Sequence, residues 1–447
     1  MKFFPVTLAV AAVLSAPLLV IFSIPSVFGA EEANYDESRV PAYTLPDPLM
    51  FPDGSPVDTP AKWTKQRRPQ LLEAFAEHVY GHTPERQPPV KMRVSKQVDD
   101  FLGRDATLKE IEIVVGEGEA NRVITMLLII PQLDHPAPVF LGLNFGGNHT
   151  VHSSPEITLN PHWLRSKYKG VVNHRATEEA RGSLEQRWMV STFLDRGYAL
   201  ATIYYGDLDP DFDDGFQNGV HPHFYQPGQA HPAEREWGSI GAWAWGLSRG
   251  MDYLEQDPQV DASKVAIVGH SRLGKAALWA GASDERFAIV ISNNSGCGGA
   301  ALSRRRYGET VQRINTSFPH WFCDRFLQYN GREAELPVDQ HQLIALIAPR
   351  PVYVASAEDD RWADPRGEFL SARHADPVYR LLGTDGLGGK QPPEMPEVDR
   401  PLAGGTIGYH IRSGGHGLRE YDFLRYLEFA DRHFVEAAAS ELKQKNR

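Results

Sequence analysis

The sequence predicts an α/β protein: a mostly parallel central sheet flanked by helices, a three-layer sandwich with long inserted loops. Three observations lead there. Apolar, β-rich runs alternate with helical patterns along the chain. The runs are continuously apolar, as in strands buried on both faces. One run passes through a tight turn directly into a helix, in VAIVGHSRLGKAALWAG.

Strands are expected at 123–130, 139–143, 198–204, 265–268, 287–291 and 352–355, with another in GYHIR near the C-terminus. Apolar residues at helical spacing mark 66–80, 241–255, 272–282, 340–347 and 420–442. Residues 31–65, rich in Pro, Asp and Glu, read as an irregular lead-in. Residues 145–190, 205–238 and 384–405 break the alternation. The first two follow strands, and loops at the carboxyl ends of strands build the site in open α/β sheets.

The N-terminus has the form of an export signal. Lys2 precedes an apolar run over residues 6–24, and small residues follow at Gly29 and Ala30. We expect cleavage near residue 30 rather than membrane anchoring. That leaves one domain over 31–447, secreted or periplasmic, and a monomer. No other stretch is apolar enough to span a bilayer. The net charge of −11 and the lack of a basic block give no support to nucleic-acid binding. Cys297 and Cys323 could form one disulfide after export or remain buried thiols, and their spacing leaves both open.

The chemistry centres on GHSRLGK at 269–275. Gly269 permits a sharp turn that exposes the Ser271 hydroxyl at the strand-to-helix corner. The helix start offers N–H groups and a positive dipole end to a developing oxyanion. The second glycine comes one residue later than in G-x-S-x-G. A serine nucleophile needs a base oriented by an acid, in the chain order Ser, Asp or Glu, His for α/β-hydrolases. His416, in GGHG after a strand, fills the place of the base. Glu358, Asp359, Asp360 and Asp364 all follow the 352–355 run, and spacing favours Asp359 or Asp360. These features predict an α/β-hydrolase fold and a serine esterase. The same motif satisfies the G-x-x-x-x-G-K of phosphate loops. Ala276, however, stands where Ser or Thr would ligate Mg²⁺, which argues against a nucleotide.

The segments GHSRLGK, NNSGCGG, RRYGET, APRPVYVASAEDDRWADPRGEF and GGHG resemble glucuronoyl esterases of carbohydrate esterase family 15, in their bacterial form. The resemblance covers nearly all the chain after the signal. It implies hydrolysis of esters between 4-O-methyl-D-glucuronic acid on xylan and lignin alcohols, with no metal or other cofactor. It implies that Ser271 is the nucleophile and His416 the base. By the same resemblance Arg272 stabilises the oxyanion through its N–H and side chain, and Lys275, Glu309 and Trp362 hold the sugar. The D-x-W-A-D-P pattern favours Asp360 as the acid. Fungal members carry a catalytic Glu after the strand that follows the nucleophile. Here Asn293 and Asn294 occupy that stretch, and neither amide supplies the charge, so the acid must come from the segment after Val354.

Other readings compete. An acetyl-xylan or other small-acyl esterase would share the fold, but an acetyl group needs no clamp like Lys275, Glu309 and Trp362. A non-catalytic carbohydrate-binding protein has no need for Ser271 and His416. His149, His152, His221, His223 and His231 raise a metal site, although H-x-H in a Pro-rich loop commonly binds nothing.

Overall fold

The apolar runs pair into a nine-stranded sheet in the computed structural model, which describes residues 1, 32–103, 105–118, 121–389 and 394–445, with side chains through 434. Apart from Met1, the export segment expected at 1–30 lies outside the described residues. The strands are β1 (Val90–Val98), β2 (Ala106–Val115), β3 (Arg122–Pro131), β4 (Ala137–Asn144), β5 (Ala199–Tyr204), β6 (Val260–His270), β7 (Ile289–Asn293), β8 (Val352–Ala357) and β9 (Ile407–Arg412). Their order is β1-β2-β3-β5-β4-β6-β7-β8-β9. The pairings from β1 to β5 are antiparallel, and every pairing from β5 through β9 is parallel.

Both faces of the sheet are covered. Val265 and Ile267 of β6 pack into a cluster with Leu247 and Met251 of α1 (Ser239–Leu254). The same cluster takes Ala277 and Leu278 of α2 (Arg272–Ser283) and Val378 of α3 (Pro365–Leu381). Ala266 and Val268 face the other way, into a second cluster with Phe193 and with Phe423 and Tyr426 of α4 (Glu420–Lys445). Alternate side chains of one strand thus serve two apolar layers, which is why the sequence shows a continuous run.

Three elements depart from the sequence expectation. β1 and β2 were not expected, because their patterns, VKMRVSKQV and ATLKEIEIVV, mix charges into the strand. β1 is the antiparallel edge, where lysine and arginine suit a solvent-facing strand. α3 was hidden by Pro377 in its interior. Its start is nonetheless well specified, with Pro365 at the first position and Asp364 accepting from the Gly367 N–H at 3.0 Å. The run at 287–291 becomes β7 two residues later, which sets Asn293 at the strand end. Cys297 and Cys323 are both buried and unbridged. Among the described residues no helix is long and apolar enough to cross a membrane.

A buried ion pair ties the antiparallel flank to the parallel core. Lys109 of β2 donates to Asp257, in the turn after α1, at 2.6 Å, and Asp257 also accepts from Tyr253 at 3.0 Å. Removing one partner leaves an uncompensated buried charge. Lys109→Met should therefore lower the unfolding free energy by about 3 kcal/mol in urea titrations; an unchanged midpoint would show that water reaches Asp257.

Candidate active site

Ser271 occupies the one-residue corner between β6 and α2, with φ 58° and ψ −129°. A non-glycine residue at such a φ is strained, and its surroundings must hold it there. The Ser271 N–H donates to the Asn293 carbonyl at 2.8 Å, and the Ser271 carbonyl accepts from Gly274 at 2.9 Å. A Cβ on Gly269 would meet the Leu273 carbonyl oxygen at 2.0 Å. The first glycine is thus required by close approach of strand to helix. Gly274 also packs tightly, since its Cβ would lie 3.0 Å from that of Ser295.

His416 and Asp360 meet across two neighbouring strand ends. Asp360 follows β8, is buried, and bonds His416 Nδ1 at 2.6 Å through Oδ2. The same oxygen accepts from Asn294 Nδ2 at 2.9 Å. The sequence left Asp359 and Asp360 open on spacing alone, and it is Asp360 that carries this bond. Asp364 instead pairs with Arg305 at 2.8 Å, and Glu358 and Asp359 are exposed. His416, half-exposed, lies tilted against buried His270 with centroids 4.5 Å apart. Burial and then the neighbouring His416 push the His270 pKa well down, so His270 stays neutral beside it.

Ser271, Arg272, Lys275, Glu309, Asp360, Trp362 and His416 all line one cavity with a free volume of about 280 Å³. That size suits a small ligand such as one sugar. Lys275 is buried and donates to the carbonyls of Ser295 and Cys297 at 2.5 and 2.6 Å, with Glu309 at 3.8 Å. Burial lowers the Lys275 pKa and raises that of Glu309, and each partner opposes the other's shift. The Trp362 carbonyl accepts from the Glu309 N–H at 3.0 Å, and its indole stays exposed at the cavity.

Several residues at the site had no readable signal. Asp211, in the 205–238 loop, is a buried hub. It accepts from Arg272 and Arg165, from Tyr205 at 2.9 Å, from the Trp321 indole at 2.9 Å, and contacts His320 at 3.1 Å. Burial opposes its ionisation, but His320 and the two arginines outweigh burial and hold the carboxyl far below the usual range. The Arg272 guanidinium also lies 4.7 Å over the Trp321 ring, and among the described residues its buried Nε has no acceptor. The sequence marks Asn294 only as an amide where an acid is expected, and in the structure it is the donor that orients Asp360.

A family model described as "Glucuronyl esterase, fungi" matches residues 192–383. A relative named carbohydrate esterase MZ0003, from an unknown prokaryotic organism, is 50% identical over 407 residues, 91% of this chain and 93% of its own. A solved promiscuous CE15 esterase from a marine bacterial metagenome superposes with a TM-score of 0.83 at 50% identity, over 90% of this chain and all of its own.

The chain belongs to carbohydrate esterase family 15.

The glucuronoyl esterase of Solibacter usitatus superposes equally well, with a TM-score of 0.83 at 46% identity over 89% of this chain and 99% of its own. A more distant relative, the 4-O-methyl-glucuronoyl methylesterase of Phanerochaete carnosa, is 28% identical over 76% of this chain and 72% of its own. The present chain is a glucuronoyl esterase of this family, a carboxylic ester hydrolase on the α/β-hydrolase fold.

Beneath the cavity of this esterase, Glu368 of α3 is fully buried. Its carboxyl takes Ser356 at 2.6 Å and the Gly296 N–H at 3.0 Å, which holds the 294–296 turn. Burial pushes its pKa up from 4.5 to about 8 against those hydrogen bonds. Between these values the unfolded chain has released this proton and the folded chain still holds it. Stability is therefore lost as pH rises from about 4.5 to about 8, by up to about 1.4 kcal/mol per unit. Urea titrations should show Glu368→Gln gaining on the wild type as pH rises through this window; parallel pH curves for the two proteins would contradict it.

Proposed function

We propose that this esterase hydrolyses esters of 4-O-methyl-D-glucuronic acid, as in glucuronoxylan–lignin linkages, through Ser271, His416 and Asp360. His416 Nε2 takes the Ser271 proton as Oγ attacks the ester carbonyl carbon. The carbonyl π electrons move to oxygen, and the tetrahedral oxyanion is met by the Arg272 N–H and guanidinium. The intermediate collapses, the bond to the alcohol oxygen breaks, and the alcohol leaves with the proton from His416. Water then attacks the glucuronoyl-enzyme with His416 again as base, releasing the uronic acid and restoring Ser271. Asp360 keeps its charge throughout and steadies the imidazolium.

The observation that carries this reading is the 2.6 Å bond between Asp360 and His416 Nδ1, at a cavity that Ser271 also lines. It aims the second ring nitrogen away from the acid, as a base requires. The orphaned Arg272 Nε is a buried donor with no acceptor until an oxyanion forms. Lys275, Glu309 and Trp362 supply charged and indole donors and an acceptor to ring hydroxyls and the methoxyl side. The reaction calls on no metal. The export signal read at residues 1–30 supports this chemistry taking place outside the cytoplasm.

A methyl 4-O-methylglucuronate ester and an acetylated xyloside, assayed side by side, test the substrate. The uronate ester should be the better substrate by kcat/KM, and preference for the acetyl ester would transfer the protein to the small-acyl class. Ser271→Ala should abolish turnover of both. Asp360→Asn should cost on the order of 10²–10⁴-fold in kcat, while Asp359→Asn should stay near wild type. The opposite ranking would move the acid to Asp359.

A further inference from the structure

We propose that Arg412 and Asp422 form a buried clamp that sets the position of His416, which makes Arg412 a positioning residue for both of its proton transfers. This role rests on His416 being the base and then the acid of the reaction above. His416 lies on the segment 413–417, where Gly414, Gly415 and Gly417 surround it. A glycine-rich segment has little conformational preference of its own, so its shape must come from partners outside it. Arg412 is the last residue of β9 and is buried. Its guanidinium donates to the Ser413 carbonyl at 3.0 Å and to the Gly417 carbonyl at 2.6 Å. Both terminal nitrogens donate to the Gly415 carbonyl between them, at 3.2 Å each. The three acceptors bracket His416 on both sides.

The remaining edge of the guanidinium is fixed as well. Arg412 Nε donates to the two carboxylate oxygens of Asp422 at 3.1 and 3.0 Å. Asp422 is buried in the first turn of α4. It also accepts from the Arg419 N–H at 2.8 Å and bonds His410 Nε2 at 2.9 Å, while His410 Nδ1 meets the Tyr353 hydroxyl at 3.0 Å. The clamp is therefore anchored in β8, β9 and α4. Backbone bonds tie the same segment to the acid. The Glu358 N–H donates to the Arg412 carbonyl at 2.9 Å, and the Asp359 N–H to the Gly414 carbonyl at 3.2 Å, immediately before Asp360. A planar fork of five N–H groups can serve one carboxylate and three carbonyls at once, and an ammonium cannot. Stability alone does not call for such a pair, because packed apolar side chains commonly replace a buried ion pair at no loss. They would leave the loop carbonyls bare and His416 free to drift from Ser271. A displacement of about 1 Å at a reacting group costs on the order of 10²-fold in rate.

The methyl and 4-nitrophenyl esters of 4-O-methylglucuronate test this, each variant being compared with wild type on the same ester. The methyl ester needs a proton from His416 as its alcohol leaves, whereas 4-nitrophenoxide departs without one. Arg412→Lys keeps a positive charge opposite Asp422 and removes the fork. It should lose about tenfold or more in kcat/KM on the methyl ester, and a loss at least about threefold smaller is expected on the 4-nitrophenyl ester. Asp422→Asn loosens the clamp from its other end and should show the same dependence on the ester. A reduced fraction of folded enzyme lowers both rates by one factor, so the ratio of the two losses reads the placement of His416 and not stability. An equal loss on both esters, or no loss on the methyl ester, overturns the proposal. His416→Ala on the methyl ester separates the two readings. Retained turnover there removes the catalytic assignment, and the clamp's role with it. Lost turnover together with an ester-independent Arg412→Lys removes the clamp's role alone.

Discussion

The parallel register of β6, β7, β8 and β9 is the constraint on which the rest of the site depends. His270 pairs with Asn293, Asn293 with Ala355, and Ala355 with His410. β6 and β7 end at this level, and β8 and β9 run two residues farther, to Ala357 and Arg412. Just past that level come Ser271, Asn294, Asp360 and, a few residues on, His416. Parallel pairing at about 4.8 Å per strand places consecutive strand ends within side-chain reach of each other. A one-residue slip in any strand would exchange its side chains between the two apolar layers and separate these groups together. The two apolar layers enforce the register, because alternate residues of β6 are committed to opposite clusters.

Charge is managed locally at this edge. The chain is acidic overall, yet its cavity concentrates Arg272 and Lys275, with Arg165 behind. Buried cations need fixed partners, since desolvation alone costs several kcal/mol each. Asp211 serves Arg272 and Arg165, while Glu309 and two carbonyls serve Lys275. These partners preorganise the donors and leave Arg272 Nε with no acceptor. Asp360 is treated in the same manner, held by an amide from Asn294 on one side and by His416 on the other. The stretch in which fungal members bear a carboxylate thus keeps a hydrogen-bonding task here, with the sign of the group changed from acceptor to donor.

Much of this was legible along the chain, for local reasons. A serine between a strand and a helix, flanked by glycines, is a short-range pattern, and so is a histidine in a glycine loop after a strand. The buried strands were readable because burial on both faces makes their sequences continuously apolar. β1 and β2 were not, because a half-solvated antiparallel strand with charges resembles a loop. α3 was obscured by Pro377, although its Asp364-Pro365 start is a recognisable helix beginning.

The sequence by itself determined the candidate types: a serine at a strand-to-helix corner, a histidine, and a short list of acids behind one strand. It also determined the two-sided burial that accompanies the parallel half of the sheet. The tertiary structure decided which acid meets His416, what holds Arg272 and Lys275 in place, and which side chains grip the loop that carries His416. The division has one physical cause. Turns, caps and apolar runs are set by neighbours in the chain. The partners of Asp360 and Arg272 lie 56 to 66 and 61 positions away in sequence, and only the closed sheet brings them within hydrogen-bonding distance.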